Sequence, residues 1–245
     1  AAVSEEYAIE CALIKVFGTE TLAFAADEAL QIHGGYGFSE DYPIARLYRD
    51  ARVFRIFEGT NEINRLAVWQ QISRRIERGR LSLSGAAPLD NPPSWSPADE
   101  PLSYSGAAVA HIRRIALAVL QRTRQSPDAQ KNQIAMAAFA DLCAILYGLE
   151  SAWLRAAKTT NGSNVSDQSL PLCALQLAAD SFCANAIESG RIALASAGAD
   201  LEEITSILAP LYHRPLVDRT SLIAELAMSF CKLLHKTVSR RENSS

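Results

Sequence analysis

The segment Arg55-Ile56-Phe57-Glu58-Gly59-Thr60-Asn61-Glu62-Ile63 sets one carboxylate between a bulky apolar run and the start of a helix. A carboxylate that is to act as a general base is helped by poor solvation, since burial raises its pKa. Ile56 and Phe57 are expected to strip water from Glu58, which makes Glu58 the candidate general base. Gly59 gives the backbone freedom beside it. Thr60 suits a helix N-cap, and Glu62 falls in the first turn, where negative charge is favoured. Amides exposed at such a helix start can hold an anion such as a pyrophosphate. The same residues also read as a surface turn that enters a helix and carries an ordinary exposed Glu.

A second stretch with chemical content lies upstream, Glu28-Ala29-Leu30-Gln31-Ile32-His33-Gly34-Gly35-Tyr36-Gly37-Phe38. Paired glycines let a backbone come close to a ligand, and read alone they end a helix. His33, His111, His213 and His235 stand in no metal-ligand spacing, so no metal site is expected. His33 reads as a packing or polar-contact residue. Asp50 reads as an ion-pair partner of Arg49 and Arg52. Arg74, Arg75, Arg78 and Arg80 cluster at a helix end beside Trp69 and Ile72, as a solvated cationic terminus or as a weak peripheral membrane contact.

These residues need elements to position them. Apolar positions Ile9, Leu13, Val16, Phe17, Leu22, Ala25, Ala29 and Ile32 recur at mostly helical spacing and predict a helix over 2–32. Gly18 marks a local break or a close helix contact. Residues 36–57 are expected to be a loop with a short helix around 44–50, and a second helix runs from 61 to about 78. Residues 81–105 hold five prolines among serines and read as a linker. Beyond it helices are expected over 106–126, 128–158 and 169–197, with a turn at Asn161-Gly162-Ser163-Asn164 between the last two. A short helix over 201–208, a connection bracketed by Pro210 and Pro215, and a last helix over 216–238 follow. No segment alternates as a strand would. The expected fold is all-α, a helical bundle plus a second helical bundle-like extension, divided as 1–80, 81–105 and 106–245.

Lys and Arg number 24 against 27 Asp and Glu, so no general basic field supports nucleic-acid binding. The five cysteines form no CxxC pair and read as reduced, mostly buried thiols of an intracellular protein. Two glycosylation acceptors, at Asn161 and Asn164, have no secretory signal to support their use. No apolar run approaches the roughly 20 residues that span a bilayer.

The two long motifs, in this order and spacing, resemble the signatures of the acyl-CoA dehydrogenase family over residues 8–72. The resemblance implies that Glu58 takes the α proton of a fatty acyl-CoA thioester while a β hydride passes to FAD, leaving a trans-2-enoyl-CoA. It places Gly59 beside the thioester. Gln31, Gly34 and Gly35 would approach a flavin dinucleotide, commonly that of a neighbouring subunit, and Thr60 and Glu62 would also face the dinucleotide. It further implies a homodimer and an electron-transfer flavoprotein as electron acceptor, in a mitochondrion or a bacterial cytoplasm. Residues 106–245 are similar, by length and helical pattern, to the extra helical region of the very-long-chain subgroup. The family also has an N-terminal helical domain and a middle β domain, so the chain reads as a fragment, inactive alone. The competing expectation is a non-catalytic helical oligomerisation or assembly module, to which Ala-rich faces such as 135–144 are suited.

Overall fold

A computed structural model describes residues 5–83, 94–160 and 169–242. Among them the regular elements are helices: α1 (Ala8–His33), α2 (Gly35–Phe38), α3 (Pro43–Val53), α4 (Asn61–Glu77), α5 (Pro101–Gln125), α6 (Gln133–Thr160), α7 (Ser169–Ser196), α8 (Leu201–Tyr212) and α9 (Arg219–Glu242). The all-α expectation holds, and no strand occurs among the described residues. The turn expected at 161–164 and part of the expected linker, 84–93, lie outside the described residues.

Local chemistry accounts for most boundaries. Pro43 opens α3, where its missing N–H costs nothing. The Thr60 hydroxyl accepts from the Ile63 amide at 3.3 Å and starts α4. Asp200 caps α8 in the same way, accepting from the Glu203 amide at 2.8 Å. Gly34, with φ 59°, turns the chain out of α1 in the left-handed region that side chains resist.

Four expectations need correction. The helix predicted from 106 begins at Pro101, inside the expected linker, because proline suits a first turn. α8 runs past Leu208 to Tyr212 with Pro210 inside it. Pro210 lies in the last turn, so the single i to i−4 bond that its missing N–H removes breaks the ladder only near the end of the helix, and its carbonyl accepts from Trp95 Nε1 at 2.8 Å. Gly18 marks neither a break nor a close contact, since α1 is continuous through it and no atom stands within 4 Å of where its Cβ would be. Two helices, Gln133–Thr159 and Leu170–Ser196, are by length and composition apolar enough to cross a membrane, although 50% and 39% of their most apolar windows are buried within the protein. Scattered polar residues that break an uninterrupted apolar run lower a windowed average only slightly.

The chain packs as two compact units. One comprises Ala1–Ala86, Val119–Ala144 and Ile192–Gly198, the other Ala87–Ala118, Ile145–Arg191 and Ala199–Ser245. They cut across the three segments expected from the sequence, since 119–144 and 192–198 join the first 86 residues. In the first unit α1 packs on α3 and α4. Trp69 of α4 is fully buried and meets Phe139 edge-on, ring centres 5.5 Å apart. Leu13, Val16, Val68 and Leu142 fill the space around such contacts, each worth about 1.5–3 kcal/mol when wholly removed from water.

The second unit is built on Ile112, Ile115, Leu149, Leu208 and Leu211, all buried. Within it Trp95 stacks on His111 at 4.5 Å and approaches Tyr104 at 5.3 Å. Asp180 accepts from Arg214 Nε at 2.9 Å. Neither ring nitrogen of His111 finds a hydrogen-bond partner among the described residues. Burial, helped by the nearby Arg114 charge, pushes its pKa down to about 4.

Candidate active site

Glu58 is the one non-glycine residue with positive φ among the described residues, at 53°. That region costs an ordinary residue roughly 1–3 kcal/mol and persists only where the surroundings enforce it. The surroundings here are explicit. Gly59 follows at φ 86°, and its carbonyl accepts from Lys15 Nζ at 2.7 Å and from Asn64 Nδ2 at 2.8 Å. Lys15 also donates to Asn61 Oδ1 at 2.6 Å, and Asn61 is almost wholly buried, 1% exposed.

The Asn61 amide group donates on to Thr19 Oγ1 and to Glu20 Oε1, each at 2.9 Å. Glu20 in turn faces Arg55 at 3.2 Å and Arg65 at 3.6 Å, and Arg65 Nε donates to Asp141 at 2.7 Å. Burial pushes the Asp141 pKa up, and Arg65 opposes that shift. The turn that carries Glu58 is thus tied to one face of α1 and to the first turn of α4. Lys15, Thr19, Glu20, Asn61 and Asn64 were not singled out from the sequence. The only signal of Lys15, Thr19 and Glu20 is polar character at i, i+4 and i+5 on a helix otherwise rich in apolar residues, and that of Asn61 and Asn64 is their place in the first turn of α4.

The expected desolvation of Glu58 is not found within this chain. Glu58 is exposed, as are Ile56 and Phe57 at 53% and 42%. Phe57 turns instead onto Phe54, edge-on at 5.0 Å. Apolar neighbours in sequence shield a carboxylate only when a second surface closes over them. A shallow cavity of about 280 Å³ on this face is lined by Glu20, Phe24, Asp27, Tyr48, Arg52 and Arg55, among others.

The anion seat expected at the start of α4 is largely filled by the protein itself. The Asn61 amide donates to the Arg55 carbonyl at 3.1 Å, the Ile63 amide to Thr60 Oγ1 and the Asn64 amide to the Thr60 carbonyl at 2.9 Å. The Glu62 carboxyl folds back. Its own backbone amide, and then the Thr60 hydroxyl, hold it below the usual carboxylate range. This end of α4 therefore offers a hydroxyl and a carboxylate to neutral polar groups more readily than bare amides to a phosphate.

The Gln31–Gly34–Gly35 corner is different. All three residues are exposed, and no atom lies within 4 Å of a Cβ built on either glycine. A flat ligand has room to lie against this backbone, so the corner fits a dinucleotide. The structure does not bring it to the Glu58 turn. Thr19, which touches Asn61, and Gly34 are separated by 15 residues of α1, roughly 22 Å at 1.5 Å per residue. The expected site residues therefore fall into two groups at different stations along α1.

Other expectations resolve as follows. His33 Nδ1 donates to the Ala29 carbonyl at 2.8 Å, a polar contact within α1. Arg49 pairs with Glu40, not with Asp50, because the 39–42 turn returns a carboxylate beside it. Arg78 and Arg80 reach Glu5 Oε1 at 3.1 and 3.2 Å, and Arg75 donates to the Glu5 and Glu6 carbonyls. Trp69 and Ile72 are buried, so neither is presented beside the arginine cluster. Cys173 and Cys183 are buried free thiols, Cys143 is half-buried, and Cys11 is exposed. No group of His, Cys, Asp and Glu able to hold a metal occurs among the described residues.

The fold is all-helical and presents a strained, clamped Glu-Gly-Thr turn, and residues 2–73, which include that turn, match the family model described as acyl-CoA dehydrogenase, C-terminal domain. Among individual proteins, the chain is 42% identical over 160 residues to a Bacillus subtilis (strain 168) protein named "Probable acyl-CoA dehydrogenase", over 62% of this chain and 27% of that protein. It is 44% identical over 88 residues to the human mitochondrial very long-chain specific acyl-CoA dehydrogenase, over 36% of this chain and 13% of that protein. The crystal structure of an acyl-CoA dehydrogenase complexed with FAD from Bacillus anthracis superposes with a TM-score of 0.86 at 32% identity, over 94% of this chain and 40% of that one. The chain thus spans about a quarter of the length of the B. subtilis relative.

Proposed function

We propose that this chain is the base-bearing part of an FAD-dependent acyl-CoA dehydrogenase acting on a fatty acyl-CoA. The observation that carries the reading is Glu58, held in a left-handed backbone by Gly59, Lys15 and Asn64 at the position where the family motif has its base. In this reading Glu58 takes the α proton of the bound thioester at its carboxylate oxygen. Gly59 lies beside the thioester and offers it backbone. Substrate and the covering surface exclude water from Glu58, Ile56 and Phe57, which raises the affinity of the carboxylate for that proton. FAD, when bound, supplies the acceptor for the β hydride, and an electron-transfer flavoprotein takes the electrons onward.

Gln31, Gly34 and Gly35 would hold the dinucleotide at one station, Thr60 and Glu62 at the other. Their separation along α1 supports a homodimer in which the corner of one copy serves the cofactor of its partner. Residues 1–80 then form the catalytic segment, 81–105 the connection and 106–245 the helical extension. Without the rest of the relatives' length the chain is expected to be inactive, and colourless after soaking in FAD and desalting.

The test is Glu58→Gln in the complete flavin-loaded protein. Removal of a positioned base is expected to cut turnover by at least the roughly 10²- to 10⁴-fold such groups contribute, with flavin still bound. Turnover within a few-fold of the parent would refute the assignment and favour the helical assembly module, for which the exposed apolar residues of α1 and α3, Phe24 and Leu47 among them, are the supporting observation.

A further inference from the structure

We propose that Lys15 is a positioning residue for the base: with Asn64 it fixes the carbonyl of Gly59 and so holds Glu58 in its left-handed conformation. The inference rests on the reading of Glu58 as the base and adds the device that places it. Three observations converge on it. The Gly59 carbonyl receives two donors from two different helices, Lys15 of α1 at 2.7 Å and Asn64 of α4 at 2.8 Å. Glu58, directly before it, holds a backbone conformation that its own side chain disfavours. The second acceptor of Lys15 is Asn61 Oδ1 at 2.6 Å, on a side chain that is 1% exposed and fully engaged with Thr19 and Glu20.

The ammonium is therefore anchored on one side to a rigid buried amide and on the other to a mobile class of structure, a glycine turn. A compact cation with three donors suits that bridging role, since it can satisfy two carbonyl-type oxygens at once. Without Lys15 the Gly59 carbonyl keeps Asn64 alone, and the φ of Glu58 is free to relax. A shift of about 1 Å in a catalytic group can cost roughly 10²-fold in rate.

The experiment compares Lys15→Met, Lys15→Arg and Asn64→Ala, with Glu58→Gln beside them, in the complete flavin-loaded protein. The readouts are kcat, KM for an acyl-CoA, and amide hydrogen exchange across 57–64. Lys15→Met is expected to lower kcat by roughly 10- to 100-fold with KM within about three-fold, and to speed exchange at 59–62 while the rest of α1 and α4 stays protected. Lys15→Arg is expected to restore most of both. Asn64→Ala, which removes the other donor, is expected to move the same two readouts in the same direction and serves if Lys15→Met does not fold. Unchanged kcat and unchanged exchange in Lys15→Met, or in Asn64→Ala where that variant stands in for it, would overturn the proposal. Normal turnover in Glu58→Gln would remove the base, while exchange across 57–64 would still decide whether Lys15 holds the turn.

Discussion

At the scale of single residues, the cost of the Glu58 conformation is measurable apart from any chemistry. A left-handed residue with a Cβ carries roughly 1–2 kcal/mol that glycine does not. Glu58→Gly is therefore expected to unfold at higher denaturant than Glu58→Ala, by about 1 kcal/mol, in urea titrations of the same chain. Equal stability would mean that the backbone at 58 relaxes once the Glu side chain is gone. The turn that carries the candidate base was legible in the sequence, because Gly59 and Thr60 have sharp local roles. The clamp was not. Lys15, Thr19 and Glu20 lie 41 to 46 positions from the residues they meet, Gly59 or Asn61, and nothing local in a helical segment reveals which polar residue will meet a distant carbonyl.

At the scale of elements, the α1–α2 junction tests how tightly the glycine corner is built. A Cβ on Gly37 would stand 2.5 Å from the Leu30 carbonyl oxygen and 3.1 Å from His33 Cβ, whereas one on Gly35 meets nothing within 4 Å. Gly37→Ala is expected to destabilise the first unit by roughly 1–3 kcal/mol, while Gly35→Ala leaves the melting temperature unchanged and acts only on bound dinucleotide. A drop in melting temperature for Gly35→Ala would show that the corner is packed, not open. The end of α1 and both boundaries of α4 were legible because caps and glycine stops are local, whereas α1, expected from residue 2, begins at Ala8 with no side-chain cap. α3 was foreseen only as 44–50 within a loop and extends over Pro43–Val53, since its extra turns are stabilised by packing on α1. Three of the eight apolar positions expected on α1 also proved to be exposed: Leu13 and Val16 are buried, but Leu22, Ala25 and Ile32 are not, with Leu22 41% and Ile32 83% exposed. A helix apolar on more than one face carries no mark of which face its own chain will cover.

At the scale of the whole molecule, acid should loosen the second unit. His111 is buried beside Trp95, and its folded pKa of about 4 lies below the ordinary 6.5. A depressed histidine binds its proton more readily unfolded, so its contribution is fully present above pH 6.5 and is lost as pH falls from there toward 4. The loss amounts to about 3 kcal/mol at most, at roughly 1.4 kcal/mol per pH unit. Stability measured from pH 7 to pH 4.5 is expected to fall in the parent chain and to fall less in His111→Phe, which keeps the ring against Trp95 and adds no titrating group. Identical slopes would show that His111 is already solvated in the folded state.

The sequence by itself determined the helical class, the two motifs and the candidate base, because periodicity, caps and glycine stops act over a few residues and the motifs are contiguous. Only the tertiary structure decided what holds the Glu58 turn, that the start of α4 fills its own amides, and that the glycine corner stands roughly 22 Å along α1 from the clamp. Those outcomes depend on which faces of α1, α3 and α4 meet, and on burial summed over residues far apart in the chain. A sequence fixes such terms only through the fold.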